Sequence, residues 1–176
     1  MNFRREVTFF ALLLCIFLIG DGCTREGSES QSKHHGVTAE NPVQTINDVQ
    51  TLIQQGNGYM DSRRYLDAAK SYAQALVITP ENADVLIDLG TCYRKMGRPE
   101  KAVHAYRKAL SFQPDHPNGL ANLGVVLAYD LKDLNGAVVV WEKFLSQYPN
   151  HQMAASIRQE VQRIKEAKGA VTDNKS

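Results

Sequence analysis

The chain carries Val85-Leu86-Ile87-Asp88-Leu89-Gly90-Thr91-Cys92-Tyr93, then Gly97-Arg98-Pro99, then Ala102, Tyr106, Ala109 and Pro114. Shifted back by 34 residues, the apolar, small and aromatic positions of this stretch fall on Leu52, Gly56, Tyr59, Ala68, Tyr72, Ala75 and Pro80. Shifted forward by 34, they fall on Leu120, Leu123, Gly124 and Leu127, and with one further residue they continue onto Ala137, Trp141 and Pro149. A fixed period of this length means that one supersecondary unit recurs, each copy burying its apolar face on the next. The three copies span about residues 49–82, 83–116 and 117–151.

Inside one copy, Leu86, Leu89 and Tyr93 stand at i, i+3 and i+7, the spacing of a single helix stripe. Gly56, Gly90 and Gly124, with Ala68, Ala102 and Ala137, are small where the two helices of a pair are expected to cross closely. Each copy closes on a proline that lacks an amide donor and ends its helix: Pro80-Glu81-Asn82, Pro114-Asp115-His116 and Pro149-Asn150-His151. The polar residue two beyond each proline is placed to cap the next helix. These signals predict helix pairs at about 42–60 with 65–78, 83–96 with 99–112, and 117–129 with 134–147. The extra residue of the third copy is expected in the Asp130-Leu131-Lys132-Asp133 turn, where a surface loop absorbs it at little cost.

The order apolar residue, Leu-Gly, Tyr, Ala, aromatic, Ala, Pro resembles the tetratricopeptide (TPR) repeat, through Leu86, Leu89, Gly90, Tyr93, Ala102, Tyr106, Ala109 and Pro114. The first copy has Gln55 where Leu is usual, and the third has Leu127 for the Tyr and Phe144 for the last Ala. The resemblance implies an all-α fold: a right-handed superhelix of three helix-turn-helix repeats plus a C-terminal capping helix. It also implies a concave groove, lined by the first helix of each pair, that binds protein segments. A fold of this kind does not by itself name a function.

Outside the repeats, residues 1–22 read as a signal peptide: Arg4 and Arg5, then an apolar run from Val7 to Ile19 broken only by Thr8. At about 1.5 Å per residue that run is short for a bilayer core of about 30 Å. Cys23 follows Gly20-Asp21-Gly22 and resembles the lipid-acceptor cysteine of a bacterial lipobox, although that pattern wants an apolar and an uncharged residue where Gly20 and Asp21 stand. Three readings follow: lipidation at Cys23, export as a soluble protein, or an uncleaved N-terminal anchor. All three place the repeats outside the cytoplasm, in the periplasm or cell envelope. Residues 23–41 hold almost no large apolar side chain and read as a flexible tether. Residues 152–168 carry Ala154, Ile157, Val161 and Ile164 on one stripe and charges on the other face, the pattern of a cap over the last repeat. Residues 169–176 read as a disordered tail.

Charge is nearly balanced, 20 Lys plus Arg against 19 Asp plus Glu, which gives no field for nucleic acid. The three cysteines have no metal-ligand spacing, and His34-His35 has no companion ligand. There is no Gly-rich phosphate loop, GxSxG or HExxH. The sequence thus points to a protein with no catalytic residues, no cofactor and no metal.

The expected partner-binding groove holds Ile53, Asn57 and Met60, then Ile87, Thr91 and Arg94, then Asn118, Asn122, Val125 and Tyr129, with Asn57 and Arg94 as orienting polar groups. TPR domains that grip a C-terminal carboxylate use Lys, Arg and Asn on these helices. The equivalent places here hold Ile53, Asn57, Asp88, Asn118 and Asn122, so the cations are missing and Asp88 disfavours an anionic ligand. The chain resembles small exported bacterial TPR lipoproteins that help assemble envelope machines such as type IV pili or secretins. That implies an adaptor holding a peptide or helix segment of a partner near the membrane. The alternatives are an accessory subunit of cytochrome c maturation, or a spacer that self-associates through Trp141, Phe144 and Tyr148.

Overall fold

In the computed structural model, residues 42–173 are described, and every regular element among them is helical. The expected leader, tether and lipid-acceptor Cys23 lie outside the described residues. The elements are α1 (Pro42–Asp61), α2 (Tyr65–Ile78), α3 (Ala83–Lys95), α4 (Pro99–Phe112), α5 (Pro117–Val125), α6 (Leu134–Gln147) and α7 (Ala154–Asp173). A π-helical turn, Val126–Asp130, continues α5 without a break. Helices pack as the pairs α1 with α2, α3 with α4 and α5 with α6; α2 then stacks on α3, α4 on α5 and α6 on α7. No helix among the described residues is long and apolar enough to cross a membrane.

Close approach within each pair explains the recurring glycines. A Cβ on Gly90 would lie 2.6 Å from Cε1 of Tyr106, and one on Gly56 would lie 2.5 Å from Cε1 of Tyr72. Gly124 meets Trp141 in the same way. The rings that fill these notches are sealed: Tyr72, Tyr106 and Trp141 are each 1% exposed. Ala68, Ala102 and Ala137 are fully buried beside them. One cluster of buried side chains joins the first repeat to Val85, Leu89 and Cys92 of α3. A second runs from Leu86 and Ile87 through the third repeat to Ala154, Ile157, Val161 and Ile164 of α7. Leu76 and Tyr93 pack on both clusters and make the core continuous.

Asn82 and His116 cap α3 and α5 as the sequence suggests, whereas His151 lies in the turn before α7. Asn82 Oδ1 accepts from the Val85 amide at 3.1 Å, His116 Nδ1 from Gly119 at 3.4 Å, and His151 Nδ1 from Met153 at 3.2 Å. The Asn82 and His116 caps each satisfy an amide that the first turn of α3 or α5 cannot pair internally.

The extra residue of the third repeat is not in the loop. Arg63, Gly97 and Lys132 hold the left-handed conformation that turns the chain between paired helices, at φ of 58°, 69° and 60°. They follow Tyr59, Tyr93 and Leu127 by four, four and five residues. The closing hydrogen bonds show the same step: Arg64 N to Tyr59 O, Arg98 N to Tyr93 O, but Asp133 N to Leu127 O. The surplus residue therefore widens the helix into the π turn, and Leu131 N reaches back to Val126 O. The loop keeps its shape because Asp133 must still cap α6 through Gly136 N at 2.9 Å.

The last helix also differs at both ends. It starts at Ala154 rather than Gln152, since His151 and its amide partners form a turn first. It runs to Asp173 instead of ending at Lys168. A lone Gly169 lowers helix propensity by about 1 kcal/mol, and no proline follows to stop the helix.

Candidate functional site

The expected groove residues, all on odd-numbered helices or the π turn, are found in three different conditions. Ile87 is only 4% exposed and belongs to the core, where its side chain packs toward Gly119 of the next repeat. Ile53 and Met60 are half-buried against the first cluster, and the Met60 sulfur lies 3.2 Å from Cys92 Sγ. Cys92 is fully buried, and burial, reinforced by the nearby Asp88, pushes its thiol up to about 12. It is an inert packing group.

The expected orienting groups are engaged inside the protein. Tyr72 donates its hydroxyl to Asn57 Oδ1 at 2.7 Å. Thr91 Oγ1 donates to Ile87 O at 3.0 Å, so its 3.1 Å contact with Tyr106 has the phenol as donor. Arg94 Nε meets Asp130 Oδ2 at 2.6 Å, an ion pair between α3 and the π turn with both side chains about one-third exposed.

The remaining groove residues meet at the C-terminal end. Asn122, Val125 and Tyr129 line a cavity of about 580 Å³ together with Ala121, Trp141 and, from α7, Gln152, Met153, Ser156, Ile157 and Glu160. Asn118, exposed, stands one turn before Asn122. The walls are apolar side chains, with Asn122, Gln152 and Ser156 as hydrogen-bonding groups. The indole Nε1–H of Trp141 donates to Ala121 O at 3.2 Å, which fixes the ring forming the base. Tyr129 stands 6.4 Å from that ring, centroid to centroid. Burial and the Glu160 carboxylate raise the Tyr129 phenol above its usual value, while hydrogen bonds from Arg163 and Tyr129 hold Glu160 below the usual carboxylate range. The third repeat and α7 thus form one preorganised pocket of a size that takes a large side chain. A cleft of about 560 Å³ at the Thr79–Asp84 loop has no comparable apolar wall.

Two participants escaped the sequence reading. The α7 wall was legible: 34 residues after Leu120, Leu123 and Leu127 stand Ala154, Ile157 and Val161, so Gln152 and Ser156 fall in register with Asn118 and Asn122. Asp88 was noticed only as a bar to anions. It is half-buried on the groove face of α3, and burial followed by Asp84 pushes it up to about 6 against the opposing influence of His116. The homotypic interface expected at Trp141, Phe144 and Tyr148 is not available as a surface. Trp141 and Phe144 are 1% and 0% exposed, and Tyr148 is tied to Asp115 O. Among the described residues no group of His, Cys, Asp or Glu is arranged to hold a metal ion.

A family model for the middle TPR-like domain of cilia- and flagella-associated protein 70 matches residues 57–167. The chain belongs to this TPR-like family. No curated protein matches the sequence. Among solved structures, the Sgt2 TPR domain of Aspergillus fumigatus is 25% identical, with a TM-score of 0.63 over 72% of this chain and 82% of that one. The second TPR domain of human RPAP3, in complex with the HSP70 peptide SGPTIEEVD, is 21% identical with a TM-score of 0.62 over 69% and 98%. The Yersinia enterocolitica type III secretion translocator chaperone SycD is 18% identical with a TM-score of 0.65 over 69% and 95%. These likenesses extend the fold assignment to a helical-repeat array of TPR type.

Proposed function

We propose that this protein is a non-catalytic interaction scaffold that holds a segment of a partner protein on the face of its odd-numbered helices, chiefly in the cavity between α5 and α7. The observation that carries the reading is the preformed apolar cavity with three convergent hydrogen-bonding groups, on a fold whose solved relatives include domains bound to peptides. We further propose that the scaffold is exported and works at a bacterial cell envelope, attached through a lipidated Cys23 or an N-terminal anchor. Support for this comes from the leader-like residues 1–22 and the polar stretch 24–41, which reaches at most about 60 Å when fully extended. Tethering raises the local concentration of a weak binder. Assembly of pili or secretins and maturation of cytochrome c are the envelope pathways that fit such an adaptor.

The test is affinity capture from an envelope extract with the full chain, beside Val125→Arg, which puts a long charged side chain into the cavity in place of a half-buried apolar one. A protein retained by the first bait and lost by the second, with unchanged helicity by circular dichroism, is the expected result. Equal retention by both baits would move binding to another surface.

A further inference from the structure

Among the described residues the Asp88 carboxylate has no hydrogen-bond or ion-pair partner. Its charged and titratable neighbours are Asp84 and Cys92 on α3, Tyr72 on α2 and His116 at the start of α5. The donors among them are engaged elsewhere. The Tyr72 hydroxyl goes to Asn57, and His116 uses Nε2 on Asp84 at 2.9 Å and Nδ1 on the Gly119 amide. No described hydrogen bond or ion pair reaches Asp88. By contrast, Arg94 is paired with Asp130 and Glu160 with Arg163. An ion half-withdrawn from water with nothing opposite it is a cost to the folded chain, and such costs gather where a ligand supplies the missing partner.

Register then connects Asp88 to the cavity. Asn122 follows Asp88 by 34 residues, so the two occupy the same place on adjacent odd-numbered helices, and Asn122 lines the cavity. Packed helix axes lie about 8–10 Å apart. A segment in the polyproline II conformation advances about 3.1 Å per residue with three residues per turn, so side chains three positions apart face the same way and span about that interval.

We propose that the groove reads an extended partner segment bearing Lys or Arg against Asp88 and, about three positions away, an aromatic or branched aliphatic residue in the cavity between α5 and α7. This rests on the groove-binding function proposed above and adds the partner's chemistry to it. A basic side chain supplies the counter-charge that Asp88 lacks, and the apolar residue fills a cavity based on Trp141. An acidic segment of the kind seen with human RPAP3 would meet Asp84 and Asp88 and be repelled.

The test is selection from a random nonapeptide library, acetylated and amidated so that chain ends carry no charge, on the immobilised full chain. Expected is enrichment of peptides with Lys or Arg three positions from Phe, Leu, Ile or Trp. A selected lysine peptide should bind at least tenfold more weakly to Asp88→Asn at pH 7.5, and at least tenfold more weakly to the unaltered chain at pH 5. The pH dependence should vanish in Asp88→Asn, which separates Asp88 from the imidazole of His116; its persistence there would overturn the assignment. Enrichment of acidic or uncharged peptides whose binding is lost in Val125→Arg would overturn this inference and leave groove binding standing. Enrichment of peptides indifferent to both substitutions, or of none, would remove both.

Discussion

The first two repeats and the third solve one packing problem in two ways. In the first two, a buried tyrosine sends its hydroxyl to a polar side chain on the paired helix, Tyr72 to Asn57 and Tyr106 to Thr91. In the third, the ring is Trp141, its N–H goes to a main-chain carbonyl, and the place of Asn57 and Thr91 is taken by Val125. The first two repeats therefore use their groove-facing polar atoms to hold themselves together. The third needs none at that position, which Val125 leaves apolar, and Tyr129 of the π turn and α7 close the site into a pocket. A repeat that keeps its glycine notch and its ring is free to change what lies outside them.

Several substitutions would break or sharpen that contrast. Trp141→Ala should have the largest effect, about 3–5 kcal/mol of lost stability in urea unfolding, because the ring fills the notch at Gly124 and joins α5 to α6. A loss of less than about 1 kcal/mol would mean that the third repeat does not depend on its ring. Ala102→Trp, at a fully buried helix crossing of the second repeat, should cost on the order of 1–3 kcal/mol by overpacking. An unchanged melting temperature would contradict that crossing.

Asp88→Asn should act in the opposite direction. The folded-state value of Asp88 is raised from 3.8 to about 6, so the folded chain binds the proton more tightly than the unfolded chain. The carboxylate then destabilises the fold increasingly as pH rises from about 4 to 6, and the penalty is complete above that window. The asparagine variant should gain on the order of 2 kcal/mol at pH 7.5 and almost nothing at pH 3. A gain independent of pH would show that the ionised carboxylate is not the source.

Smaller effects separate the repeats further. Tyr106→Phe should cost about 1 kcal/mol. Tyr72→Phe should cost less, since its partner Asn57 is exposed and water replaces the phenol. Arg94→Ala, which removes an ion pair about one-third exposed, should change stability by less than about 1 kcal/mol, and by less still in high salt.

Much of the fold was legible because the repeat constrains buried positions at fixed spacing. Gly56, Gly90 and Gly124, their rings, and the caps Asn82 and His116 follow from the period alone. The groove was less legible. Its positions can be counted on a helix, but whether Asn57 or Arg94 faces a partner or a neighbour depends on side chains 15 and 36 residues away. The position of the inserted residue was also hidden. A longer loop and a widened helix give the same spacing from Leu127 to Asp133, and only the hydrogen bonds separate them. Asp88 stood out by charge, but its lack of a partner emerges only once Tyr72 and His116 are seen to be engaged.

Trp141 is the single tryptophan of the chain and forms part of the cavity lining, so it reports on the pocket without any label. The most direct test is to titrate the full chain with a partner recovered by capture, or with a selected peptide, while following the indole N–H resonance of Trp141. A saturable shift that tracks binding and disappears in Val125→Arg is expected if the pocket between α5 and α7 holds the partner. Binding that saturates while the resonance stays in place would contradict it.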